Sequence, residues 1–135
     1  MWTGFGPSSL WECYSPDLNR PGTAKKGELS RSGFVGWTGL GPVAMLIEDI
    51  LGVDVYVPAN TITWRPCLLE EHGIKRLAFG KGHVDLICES RPSRETPPTI
   101  KVSSTVPFKL CVEWAQRSVE RNMGVGECMR FSLQE

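Results

Sequence analysis

The run Ile100-Lys101-Val102-Ser103-Ser104-Thr105-Val106-Pro107-Phe108-Lys109-Leu110-Cys111-Val112-Glu113-Trp114 decides the fold. Ile100, Val102, Val106, Phe108, Leu110, Val112 and Trp114 stand at even positions, whereas Lys101, Ser103, Lys109 and Glu113 stand at odd ones. Successive side chains on a strand point to opposite faces, so this period of two makes one face dry and the other wet. Such alternation is the signature of antiparallel strands that cover a core on one side, as in a sandwich.

Working outward, the same texture extends over residues 53–135. Val53, Val55 and Val57 alternate before the turn Pro58-Ala59-Asn60, which leads into residues 61–64. Residues 74–79 and 83–89 flank Gly80-Lys81-Gly82, a hairpin signal with permissive glycines. Residues 117–123 and 128–133 read as a final hairpin, and 91–98 as a polar, proline-rich connection. Trp64 and Trp114 fall in alternating strands and are expected in the core. His72 and His83 flank the central hairpin and are expected at the surface, and Glu70-Glu71 reads as a solvated turn.

The first part of the chain, residues 1–52, reads differently. Pro7, Pro16, Pro21 and Gly22 interrupt any periodicity in residues 1–36, which read as loop. A loop of that length that carries Trp11, Tyr14 and Phe34 is expected to be functional. Residues 38–51 form the one clear helix. Pro42 sits early, where its missing N–H costs little. Val43, Leu46, Ile47, Ile50 and Leu51 make an apolar face, Leu40 and Met45 widen it, and Gly52 is the stop. A helix so apolar is expected to be largely buried. The fold class is therefore α+β: an N-terminal loop with one or two helices, followed by a small antiparallel β-sandwich.

Composition narrows the partners. Across 135 residues, fifteen Lys+Arg balance fifteen Asp+Glu, so nothing recommends nucleic acid or an anionic membrane. The longest apolar stretch is interrupted by Glu48, Asp49 and Asp54, which argues against a spanning helix. No basic region leads into an apolar run at the start, so no signal peptide is expected. Cysteines at 13, 67, 88, 111 and 128 contain no Cys-x-x-Cys pair and read as free, mostly buried thiols, which favours a cytoplasmic setting. Cys67, His72, His83 and Cys88 have a faint metal-like symmetry, but the spacing lacks the tight pairs of zinc sites. No metal or cofactor is expected.

The segment Trp11-Glu12-Cys13-Tyr14-Ser15-Pro16, followed by Phe34-Val35-Gly36-Trp37 opening the apolar helix, places a carboxylate between aromatic rings. This pattern resembles the C-terminal part of the (α/α)6-toroid glycoside hydrolases: trehalases, mannosylglycerate hydrolases and family-63 α-glucosidases. In those enzymes the Glu after Trp is the general base of an inverting mechanism, and Glu12 occupies that position. The resemblance implies that Trp11 and Trp37 supply a stacking wall, and that Tyr14 hydrogen-bonds the Glu12 carboxylate or a sugar hydroxyl. It also implies that the helix is the remnant of a toroid and that the β part is the small domain some members carry after it.

An inverting glycosidase needs a base and a protonated acid roughly 6.5–9.5 Å apart. A complete toroid needs on the order of 200 residues at ordinary helix and loop lengths, and the family's acid lies upstream of anything matched here. Asp17 and Asp49 do not match that acid's motif. The resemblance therefore implies a fragment or subunit that acts on α-linked glucosides or mannosides and contributes only the base. The alternative is a non-catalytic carbohydrate-binding or structural β module. The partners that follow are carbohydrate, the missing toroid portion, or a second copy of the chain through its apolar helix.

Overall fold

The computed structural model describes residues 39–133. Trp11, Glu12, Tyr14 and Trp37 lie outside the described residues. The chain divides between Met45 and Leu46. Of the first unit, the structure describes α1 (Leu40–Met45), a short turn of helix with no buried residue.

The second unit opens with a π-helical turn, Leu46–Ile50, closed by the Leu51 N–H donating to Leu46 O at 2.9 Å. This departs from the single buried helix expected over 38–51. Ile47 and Leu51 pack against the β core, while Leu40, Val43, Met45, Leu46 and Ile50 are exposed. The i→i+5 bond breaks the 3.6-residue period on which the expected stripe rests. Gly52 ends the turn as expected, with φ +73°. Its O accepts from Arg65 N–H at 2.8 Å, and a Cβ there would collide with Arg65 O.

Eight strands follow: β1 (Val53–Tyr56), β2 (Thr61–Trp64), β3 (His72–Phe79), β4 (Gly82–Cys88), β5 (Thr99–Ser104), β6 (Phe108–Trp114), β7 (Arg117–Met123) and β8 (Cys128–Ser132). They form two four-stranded sheets, ordered β1-β2-β6-β7 and β3-β4-β5-β8. One core joins them. Ile62, Trp64, Leu110 and Val112 enter it from the first sheet, and Val84, Leu86, Ile100 and Val102 from the second. The Phe79 and Phe108 rings meet across the sheets at 5.6 Å. The alternation of residues 100–114 thus reports the inner face of both sheets, as a sandwich requires.

Two features of the strand pairing depart from the sequence reading. First, β2 pairs with β6 in parallel, with Ile62 opposite Leu110 and Trp64 opposite Val112, while every other pair is antiparallel. Period-two alternation carries no direction, so the sequence pattern could not distinguish the two. Second, β7 and β8 are not a hairpin: β7 pairs with β6, and β8 pairs with β5. The connection between them crosses from one sheet to the other and is anchored on the end of β5. There Gly126 N–H donates to Ser104 O at 2.8 Å, and Ser104 N–H donates to Glu127 O at 3.1 Å.

Trp64 is fully buried, as expected, and its indole Nε1–H donates to Leu51 O at 2.8 Å. Trp114 is half-buried at the edge of the core. His72 is buried rather than superficial, because its place at the start of β3 sets it edge-on to the Trp64 ring, 6.1 Å away. Replacing Trp64 with Phe keeps an aromatic ring but leaves the Leu51 carbonyl without its donor. We expect a loss of about 1–3 kcal/mol of unfolding free energy, read from urea denaturation.

Candidate functional site

The most functional-looking surface is built at the open end of the first sheet, where β6 turns into β7. Ala115 and Gln116 make a two-residue turn with φ +47° and +63°. Hairpin turns of this geometry suit Asn and Gly, so Ala and Gln here hold a conformation that side chains disfavour. Backbone held in a disfavoured region clusters at binding sites and switch regions. The turn sets the half-buried Trp114 beside it.

Trp114 and Glu113 lie between two shallow grooves, of about 400 and 350 Å³, that share Arg65, Glu113, Trp114 and Ala115. Gln116, Arg117 and Ser118 complete the first groove, and Pro66, Arg91 and Arg94 belong to the second. Arg65 Nε donates to Glu113 Oε2 at 2.7 Å. Both side chains are about half exposed, so the pair contributes little to stability and instead orders two planar polar groups in the lining that both grooves share with Trp114. An aromatic face flanked by a few fixed polar side chains is the composition of a ligand site.

The second groove rests on an unusual clamp. Arg91 is buried, and its guanidinium donates to Pro66 O at 3.0 Å, Leu68 O at 3.3 Å and Thr96 O at 3.3 Å. The Arg91 backbone N–H also donates to Leu69 O, at 2.8 Å. A single side chain therefore binds the β2–β3 crossover to the connection after β4.

On the outer face of the second sheet lies a third groove, of about 350 Å³, over β4, β5 and β8. Glu89 borders it, with its carboxylate accepting from Arg130 at 2.8 and 2.9 Å and lying 2.9 Å from Lys101 Nζ. Hydrogen bonds from Arg130, then from Lys101, hold Glu89 down at about 2. Glu95 is also lowered, first by a hydrogen bond from Ser93. A general acid needs the opposite shift, so neither carboxyl suits that role.

The candidates that the sequence places in the first unit, Trp11, Glu12, Tyr14 and Trp37, fall outside the described residues. Cys67, His72, His83 and Cys88 do not converge. His72 and Cys88 face each other across β3 and β4, but among the described residues no three His, Cys, Asp or Glu side chains gather. Burial pushes the Cys88 thiol up to about 11. The thiols are less buried than expected: Cys67 and Cys128 are exposed, and Cys111 is intermediate. His72 Nδ1 pairs with Glu70 O at 2.8 Å, which accounts for its orientation. Among the described residues no helix is long and apolar enough to cross a membrane. The Trp114 rim escaped the sequence reading because its alternation assigned that ring to the core. The adjoining Arg65, Ala115 and Gln116 carry no motif.

No protein family matches the chain, and no solved structure matches it. The chain is similar to an uncharacterized protein of Borreliella burgdorferi, 28% identical over 81 residues, which is 58% of this chain. The match spans 17% of that relative's length.

The Glu89 cluster has a definite pH signature. Its folded value lies below the ordinary glutamate value of about 4.3. Its contribution to stability is therefore complete above that value and disappears as the pH falls toward about 2. Across that window the Glu89→Gln protein should lose less stability than the parent chain, which urea midpoints at successive pH values check.

Proposed function

We propose that residues 46–133 form a non-catalytic carbohydrate-binding β module, with the Trp114 rim as its sugar site. One observation carries this reading: the half-buried Trp114, beside a strained turn, lines two grooves whose shared lining also holds the Arg65–Glu113 pair. A sugar ring has apolar C–H faces and a polar circumference, so an aromatic face with planar hydrogen-bonding groups at its edge matches both parts. The resemblance at Trp11-Glu12 and Gly36-Trp37 supplies the class, α-linked glucosides or mannosides.

The test is a titration of the full chain with maltotriose and α-1,2-mannobiose, followed by tryptophan fluorescence. Trp114→Ala is expected to weaken binding about tenfold, the effect of removing a buried aromatic anchor. Gln116→Ala, in the exposed turn, weakens it without touching the core. Glu12→Gln leaves it unchanged. Binding that is absent, or indifferent to both rim variants, overturns the assignment.

A second reading is that the chain is the C-terminal piece of an inverting glycoside hydrolase with Glu12 as its base. It rests on the resemblance at Trp11-Glu12 and Gly36-Trp37. On this reading the chain alone hydrolyses no α-glucoside or α-mannoside. Mixed with an acid-bearing toroid it does, and Glu12→Gln abolishes that activity. Activity unaffected by Glu12→Gln contradicts it.

A further inference from the structure

The outer face of the second sheet carries a groove that the sugar reading leaves unused. Strand register places its residues in rows. Asp85, Ser103 and Cys128 form one row, and Ile87, Lys101 and Arg130 form the next. The second row ends on β3 at Gly73, opposite Ile87. Gly73 has φ +149°, and a Cβ there would collide with Leu86 O, so this end of the row cannot carry a side chain. The half-buried Ile87 is thereby left as the apolar centre of the groove.

Charge is arranged around that centre. Lys75, Lys101 and Arg130 line the groove, with Asp85 as the carboxylate among its lining residues. Asp85 is already engaged. A bulge between Ile74 and Leu77 turns the Arg76 N–H onto Asp85 Oδ1 at 2.7 Å, and Ser103 Oγ donates to Oδ2 at 3.4 Å. Lys101 and Arg130 are both paired with the Glu89 carboxylate. Lys75 has no carboxylate within ion-pair distance among the described residues. The cationic side chains can lay their aliphatic stems along the groove while their charged heads remain at its rim.

We propose that this groove binds a small organic carboxylate with an apolar body, its apolar part over Ile87 and its carboxylate between Lys75 and Lys101. The surface lining the groove is mostly apolar, which disfavours a neutral polyol. With Glu89 counted, three cations face two carboxylates around the groove, and Lys75, the one of the three without an ion-pair partner among the described residues, supplies the excess that favours an anion. The site is independent of the Trp114 rim, which lies on the other sheet.

The probe is 2-naphthoate, with neutral 2-naphthamide as its isosteric control, titrated into the full chain by two-dimensional amide NMR. We expect saturable shifts at Ile87, Lys101 and Arg130 with 2-naphthoate, and about tenfold weaker binding of the amide, the discrimination of a charge-assisted contact. Lys75→Gln should reduce that preference about threefold, and added salt should reduce it too, because the rim is in water. Unchanged Trp114 resonances separate this site from the sugar site. Equal affinity for acid and amide, shifts centred elsewhere, or no saturable shift overturns the proposal. So does a preference that Lys75→Gln leaves intact.

Discussion

The buried guanidinium of Arg91 is the contact on which the arrangement of this molecule depends. Burying a charged side chain is costly unless its donors are paired. Here Arg91 finds no carboxylate among the described residues and uses the carbonyls of Pro66, Leu68 and Thr96 instead. Those carbonyls belong to two connections that have no regular strand partners of their own. Residues 65–71 carry the chain from the first sheet to the second, and residues 89–98 join β4 to β5. One side chain satisfies carbonyls in both and ties the two connections together.

The consequence reaches the surface. Arg65 and Pro66 follow directly from β2, and Arg65 is held by Gly52 O on one side and by Glu113 on the other. The crossover held by Arg91 thus forms one wall of the groove that ends on Trp114. On the opposite sheet a comparable economy of parts operates. The bulge at Lys75 and Arg76 occupies Asp85, and Glu89 steadies Lys101 and Arg130, so the cations left facing the groove set its character. In each case a backbone irregularity, the Ala115-Gln116 turn or the bulge in β3, positions the side chains that give the face its chemistry.

Much of the β part was legible because strand alternation is a direct record of burial. Ile100, Val102, Phe108, Leu110 and Val112 announce the inner faces, and Gly80 to Gly82 the central turn. What alternation does not encode is pairing. The parallel β2–β6 ladder and the separation of β7 from β8 depend on contacts far apart in sequence, to which a period of two is blind. The apolar residues from Leu40 to Ile50 misled for a different reason. Within the second unit the core is filled from the two sheets, and of the described turn ahead of them Ile47 and Leu51 pack against it. Arg91 was unreadable as a core residue because its burial depends on carbonyls that only the fold brings to it, and His72 because its place is set by the Trp64 ring beside it. The candidate site was least legible: Glu12 and its neighbours came from a motif, whereas Trp114 owes its role to the turn beside it.

The most direct measurement is amide hydrogen exchange on the Arg91→Met protein, which keeps the bulk of the side chain but removes its donors. If Arg91 clamps the two connections and thereby the rim, protection falls at the amides of residues 65, 91 and 96. Leu110 and Val112, in the middle of the first sheet, retain theirs. Unchanged protection at 65, 91 and 96 would contradict the account, and so would a uniform loss across both sheets.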